Sequence, residues 1–398
     1  MRDARAGASR GAGATDDTDN TGRCLHETGG RHHRAAPAPT GRHAIVLRML
    51  EPRGRGLRPG VCCVALLVLA VAAPRPCAGQ AEPRGSGDWV ASRTPDGQPD
   101  IQGVWTNATM TPLERPADLA GKPFFSEAEA AALERAAQEQ REQAFAPGAV
   151  RIERLPPGSR FAGYNAAIWS GTRSIAPTRR TSMVVDPPSG RVPLRPEAES
   201  RRDYLVAHRS DTYENMSVYT RCITRGVPGA LIPNFYNAGN HILQAPGYVV
   251  ILTEMIGEAR IIPLDDRPPL DPAIGLWMGD SRGRWEGETL VVETTNFDDR
   301  GWITPNQNAG RMHGVPVSRT LRVVERFTRV SEDVLDWRAT VEDPSFYTAP
   351  WTLELPLTRD PSYDLYEYAC HEGNYAVPNI LRGARVQERN AAAEDGVR

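Results

Sequence analysis

A chain of 398 residues with 40% hydrophobic and 24% charged residues can bury a large core, so it is neither disordered nor membrane-embedded as a whole. A formal net charge of -2 at pH 7 supplies no electrostatic footprint for nucleic acid, which asks for a clearly basic face. Lys122 is the only lysine, a bias more simply explained by GC-rich coding than by a set of anion sites.

Residues 1–48 are rich in Gly, Ala, Arg, Thr and Asp without apolar periodicity. Nothing there offsets the entropy of ordering the chain, so the expectation is disorder, an over-extended frame ahead of a start at Met49. Arg53, Arg55 and Arg58 then precede the apolar run Val61–Ala73, with small residues at Cys77-Ala78-Gly79 and Gly79-Gln80-Ala81. A basic flank, a short apolar run and small residues predict a secretory signal peptide over 49–81, and the run is too short for a stable membrane span. The expected localisation is periplasmic or extracellular.

Export changes the cysteine arithmetic. Cys62, Cys63 and Cys77 leave with the signal and Cys24 falls in the over-extended frame, so Cys222 and Cys370 remain. Two such cysteines in an oxidising compartment predict a disulfide.

The expected mature part is a single β-rich domain over 82–385 with a disordered tail over 386–398. It opens with a turn-rich lead into a short strand at Gly103-Val104-Trp105, which resembles the Gly-x-Trp of the first strand in lipocalin-type barrels. A longer set of motifs includes Gly283–Phe297 (GRWEGETLVVETTNF) and Tyr366–Tyr375 (YEYACHEGNY). With these the chain is similar to a family of uncharacterised secreted bacterial proteins. The resemblance implies export and one shared architecture, and it carries no activity.

Ser126 and Glu129 form a capping box, and the run of Ala, Glu, Gln and Arg behind them predicts a surface helix over 126–145 packed by Leu133, Ala137 and Phe145. A second short helix is expected from Glu197 to His208. Between them, Thr181–Val185 and Arg191–Leu194 read as a hairpin around the turn Asp186–Gly190. From Ile242 the chain becomes a meander of eight strand-like runs: 242–244, 248–254, 260–264, 289–297, 320–329, 334–342, 351–358 and 365–370. With the Trp105 strand these predict a mainly β fold, an antiparallel lipocalin-like β-barrel or meander with a few peripheral helices; an open β-sandwich is the alternative.

Alternation locates the interior. Leu335, Trp337, Ala339 and Val341 form one face of their run, and Leu321, Val323, Glu325 and Phe327 form one face of theirs, which places the Glu325 carboxylate among apolar neighbours. Such a group is either paired with an arginine of a neighbouring strand or a general acid with a raised pKa. The stretch Tyr366–Tyr375 gathers phenols, carboxylates and His371, with Glu372 placed to orient the imidazole. The bland reading is a rim residue beside a bridged Cys370. Candidate catalytic residues are therefore His371, Glu372 and Glu325, and candidate ligand contacts are Trp285, Asn296, Trp302, Tyr347, Trp351 and Tyr368. The long connection 298–318, which carries Trp302 and His313, reads as a lid or binding loop. Scattered histidines and the absence of any Cys-x-x-Cys or His-Glu-x-x-His predict no metal and no cofactor.

These features predict an exported protein that binds a small apolar or glycan-like molecule inside its barrel. The alternatives are a cofactor-free lyase, isomerase or hydrolase using His/Glu acid–base chemistry, and a cell-envelope interaction module. An internal pocket reaching Glu325 past His371 would favour the enzyme, an apolar pocket the binder, and a lumen filled by side chains the module. Oligomeric state is not encoded in any motif.

Overall fold

The structure, a computed structural model, describes residues 89–145, 173–305, 307–360 and 363–395. The disorder expected over 1–48, the signal peptide over 49–81 and residues 396–398 of the tail lie outside them.

Ten strands build one antiparallel sheet: β1 Gly103–Thr106, β2 Val184–Asp186, β3 Gly239–Ala245, β4 Tyr248–Thr253, β5 Glu258–Pro263, β6 Asp280–Glu286, β7 Thr289–Thr295, β8 Arg322–Arg329, β9 Val334–Glu342 and β10 Trp351–Arg359. The hydrogen-bonded order is β5-β4-β3-β1-β10-β9-β8-β7-β6, with β2 pairing separately onto β10. Two meanders, β3–β5 and β6–β10, are thus joined through β1, and nine strands curl into a nearly closed barrel. Three helices accompany it among the described residues: α1 Glu127–Phe145, α2 Pro196–Ala207 and α3 Ala376–Asp395.

Strand alternation decides what fills the barrel. Leu335, Trp337, Ala339 and Val341 of β9 lie opposite Phe327, Glu325 and Val323 of β8 and Leu357, Leu355 and Leu353 of β10. All but Leu355, which is 1% exposed, show no accessible surface. A side chain with no accessible surface has no water-sized space beside it, so this part of the lumen is a packed core. The outer face of the same strands is charged, with Arg338 and Glu342 on β9 and Arg322 on β8 exposed and Arg326 half-buried.

β5 and β6 meet without a hydrogen-bonded ladder. A Cβ at Gly283 would stand 2.7 Å from Leu264 and 2.8 Å from Ile262, so only glycine lets the two edges come this close. The seam is tied instead by side chains inside the lumen. Arg260 of β5 donates to Ser281 Oγ (2.9 Å) and Thr294 Oγ1 (2.7 Å) and pairs with Glu325 Oε2 at 2.5 Å, while Trp337 Nε1 donates to Glu325 Oε1 at 3.0 Å. Glu325 is therefore the buried, paired carboxylate of the bland reading. Its partner comes not from an adjacent strand but from β5, across β6 and β7. One end of the barrel is plugged by the fully buried Trp105, whose ring lies 5.6 Å from the Arg329 guanidinium and 5.0 Å from that of Arg359.

Several expectations need correction. Residues 365–370 form no strand, because β10 already has β9 on one side and β1 and β2 on the other, leaving no free edge. The ninth barrel strand is β6, whose Ser281, Gly283 and four charged residues carry little strand propensity. The hairpin around Asp186–Gly190 does not form: β2 pairs with β10, and Val192 N donates to Glu114 Oε1 at 2.7 Å. Residues 386–395 continue α3 rather than forming a loose tail, since Ala, Gln, Glu and Arg propagate a helix that Arg385 anchors by donating to Asp211 O at 3.1 Å. The capping box of α1 forms as expected, with Ser126 N donating to Glu129 Oε2 at 2.9 Å and Glu129 N to Ser126 Oγ at 3.3 Å.

The lumenal ion pair yields the first prediction. Arg260→Met, which leaves Glu325 buried without its cation, lowers unfolding free energy by about 3–5 kcal/mol, and adding Glu325→Leu recovers most of the loss. Urea denaturation of the single and double variants measures it; equal losses for both would show that the pairing is not what matters.

Candidate ligand cleft

The strand ends carrying Thr106, Gly239, Thr253, Asp280, Thr295 and Trp351 lie on one side of the barrel, as the registers require. The long connections 107–183, 187–238 and 296–321 return there. The 298–318 connection is not an open lid, because Ile303, Met312, Val315 and Val317 are buried in it. It packs on the barrel end, and Trp302 pairs with Pro316 in an isolated bridge.

Between this loop, α2, residues 216–220 and α3 opens a cleft of about 900 Å³, with Arg202, Arg209, Tyr219, Trp302, Arg311 and His313 among its lining side chains. Its walls are tied together by charge-assisted hydrogen bonds. Arg311 reaches both Glu114 oxygens at 2.9 Å and Glu199 of α2 at 3.1 Å. Arg202 of α2 donates to Arg311 O at 3.0 Å, and Trp302 meets His313 edge-on with ring centroids 5.4 Å apart. Ile380 brings α3 to the rim.

Beside the cleft three phenols converge. Tyr219 Oη lies 3.0 Å from Tyr236 Oη, 3.3 Å from Tyr368 Oη and 3.5 Å from Met255 Sδ. Burial, then the two neighbouring phenols, push the Tyr219 hydroxyl well above its ordinary range, so it stays protonated. Arg225 is fully buried and donates to Ile232 O at 2.8 Å; burial pulls its guanidinium down to about 10, which leaves it charged at neutral pH. Burial likewise raises the Glu258 carboxyl, whose Oε2 accepts from Arg225 N at 3.2 Å.

The expected disulfide is present: Cys222 and Cys370 are bonded across a sequence separation of 148. It sits three residues after Tyr219 and two after Tyr368, and so clips the segment 363–395 to the barrel end. That segment needs a clip, because none of its described side chains is buried. Asn374 Nδ2 adds a hydrogen bond to Thr220 O at 3.1 Å, and Tyr363 Oη one to Glu254.

The structure separates most of the residues proposed from sequence. His371 and Glu372 are exposed on the turn after the disulfide, whereas Glu325 has no accessible surface, so no single solute could meet all three. Tyr347 and Trp351 are core residues packed edge to face with centroids 5.8 Å apart. Asn296 takes a positive φ of 58° and donates to Asp271 O at 2.9 Å and Ile274 O at 3.2 Å, holding the 270–276 turn. Trp285 faces the lumen beside Leu290 at the opposite end of the barrel. Trp302 lines the cleft and Tyr368 braces Tyr219. Sequence reasoning missed Tyr219, Arg202, Arg209 and Arg311. Only Tyr219 carried a signal, since the predicted bridge between Cys222 and Cys370 brings it to Tyr368.

Among the described residues no three His, Cys, Asp or Glu side chains gather as a metal would require, and no helix is long and apolar enough to cross a membrane. The chain matches no family model, and no curated protein or solved structure is significantly similar to it. The cleft is therefore read from its own chemistry.

Reduction tests the clip. In the chain-entropy argument a bridge spanning 148 residues stabilises by about 5 kcal/mol. Dithiothreitol is expected to lower the denaturation midpoint and to speed proteolysis within 363–395. An unchanged midpoint and digestion pattern would mean that the segment holds without the bond.

Proposed function

We propose that this is an exported small-molecule-binding protein whose ligand sits in the loop-end cleft and not in the barrel lumen. The observation that carries the reading is a contrast. A lipocalin-type ligand needs lumenal space, yet Leu290, Val292, Phe327 and Trp337 leave none beside them, while a cleft of about 900 Å³ opens among Tyr219, Trp302 and His313. That volume falls in the range of small-molecule pockets, ~300–1,000 Å³, and a mixed lining of rings with a few polar groups is the usual composition of such sites. Loops on a rigid sheet are also where scaffolds carry binding function.

Export is supported by the Val61–Ala73 run behind a basic flank and by a disulfide suited to an oxidising compartment. The acid–base enzyme has less support, since His371 with Glu372 and Glu325 do not share one site.

One observation favours a second reading, the envelope interaction module. The outer face of β3–β5 carries the exposed Leu243, Tyr248 and Ile261 in adjacent rows, unlike the charged outer face of β8 and β9. A filled lumen is compatible with that role as well.

Two measurements test the proposal. Ser210 lines the cleft, and its replacement by Trp fills the space. Saturation-transfer NMR against a fragment library is expected to give hits that Ser210→Trp weakens by about tenfold or more; hits of undiminished affinity would place the ligand elsewhere. N-terminal sequencing of protein recovered outside the cytoplasm is expected to begin at Gln80 or Glu82, and a start ahead of Val61 would contradict signal cleavage.

A further inference from the structure

We propose that the cleft selects a carboxylate carried on a ring, an aromatic acid or a sugar acid; this rests on the cleft being the ligand site. Three guanidinium groups, Arg202, Arg209 and Arg311, face one carboxylate, Asp203, around the lining, in a chain whose overall charge is slightly negative.

Two of these cations are already matched. Arg311 is held by Glu114 and Glu199, and Arg202 is held by Asp203 at 2.9 Å and 2.8 Å. Arg209 is different. It is exposed, and among the described residues no carboxylate lies within ion-pairing distance of it. Next to Thr220 of the lining, Arg221 is half-buried with its Nε making no hydrogen bond, between the like charge of Arg300 and the opposite charge of Glu214.

Ligand chemistry follows from what each class would do to Arg209. A neutral ligand covering it would remove water from a guanidinium and return nothing, which is costly. A cation would be repelled by the unmatched Arg209, and the one carboxylate of the lining, Asp203, is already engaged by Arg202. A carboxylate replaces the lost water with a two-pronged charge-assisted pair, the geometry a guanidinium suits best. Ser210, Ser217 and Thr220 also line the cleft, and their hydroxyls are of the type that donates to a carboxylate. Rings are favoured because Tyr219, Trp302 and His313 all line the cleft, and aromatic side chains offer edge and stacking contacts to a ring that the guanidinium anchors.

Isothermal titration calorimetry on the full exported chain tests this with benzoate, benzamide, benzamidine and glucuronate. At least one of benzoate and glucuronate is expected to bind about tenfold or more tighter than benzamide, with the better of the two naming the source of the ring. Arg209→Gln is expected to erase that preference and Arg209→Lys to restore part of it. Thermal unfolding should be unchanged in both, because the Arg209 side chain makes no ion pair. Benzamide or benzamidine binding as tightly as both acids, or acid affinity unaltered by Arg209→Gln, would overturn the inference. Binding by none of the four probes would instead overturn the cleft reading on which it rests.

Discussion

The pairing of Arg260 with Glu325 inside the barrel is the constraint from which the other features follow. Nine strands close only if β5 and β6 meet, and these two edges share no ladder. Closure therefore falls to what crosses the seam: the contact of Ile262 and Leu264 over Gly283, and the Arg260 side chain reaching Ser281, Thr294 and Glu325. Burying two charges is expensive unless both are hydrogen-bonded, and here Trp337, Ser281 and Thr294 supply those bonds. A lumen organised around such a pair has no room left for a ligand. It behaves as the hydrophobic core of the domain, with one polar stripe through it.

That arrangement displaces function to the end of the barrel. Trp105, with Arg329 and Arg359 against its ring, closes one end. At the other end the long connections pile up, and their buried residues, Ile303, Met312 and Val315, extend the core outward. The cleft forms where three of these layers fail to merge: α2, the 302–313 loop and the clipped C-terminal segment. Each is tied by a different device, the Arg311 fork to Glu114 and Glu199, the Trp302–Pro316 bridge and the Cys222–Cys370 bond. A rigid barrel with separately anchored loops is a scaffold on which side chains such as Arg209 can be left uncommitted.

The barrel was largely legible in the sequence, because period-two alternation is a local signal. Leu335, Trp337, Ala339 and Val341 announced the inner face, and the same rule flagged Glu325 as a carboxylate among apolar neighbours. Its partner was not legible, since nothing local tells Arg260 from the many other arginines of the chain. β6 escaped because Ser281 and Gly283, the residues it turns inward, were chosen for the seam and not for strand propensity. Tyr366–Cys370 misled in the opposite sense: aromatic residues suit a strand, but β10 had no open edge to offer them. The cleft was the least legible part. Its walls come from residues near 202–220, 302–313 and 380, brought together by tertiary packing alone, and the arginines that line it looked like compositional background.

A filled lumen is the claim on which the placement of the ligand site depends, and xenon tests it without any knowledge of the ligand. Xenon enters dry apolar cavities and marks them strongly in diffraction. Crystals pressurised with xenon are predicted to show no atom within the ring formed by Val249, Val292, Phe327, Trp337 and Ala339. A well-occupied xenon site among those side chains would mean that the barrel encloses usable space, and the loop-end assignment would lose its foundation.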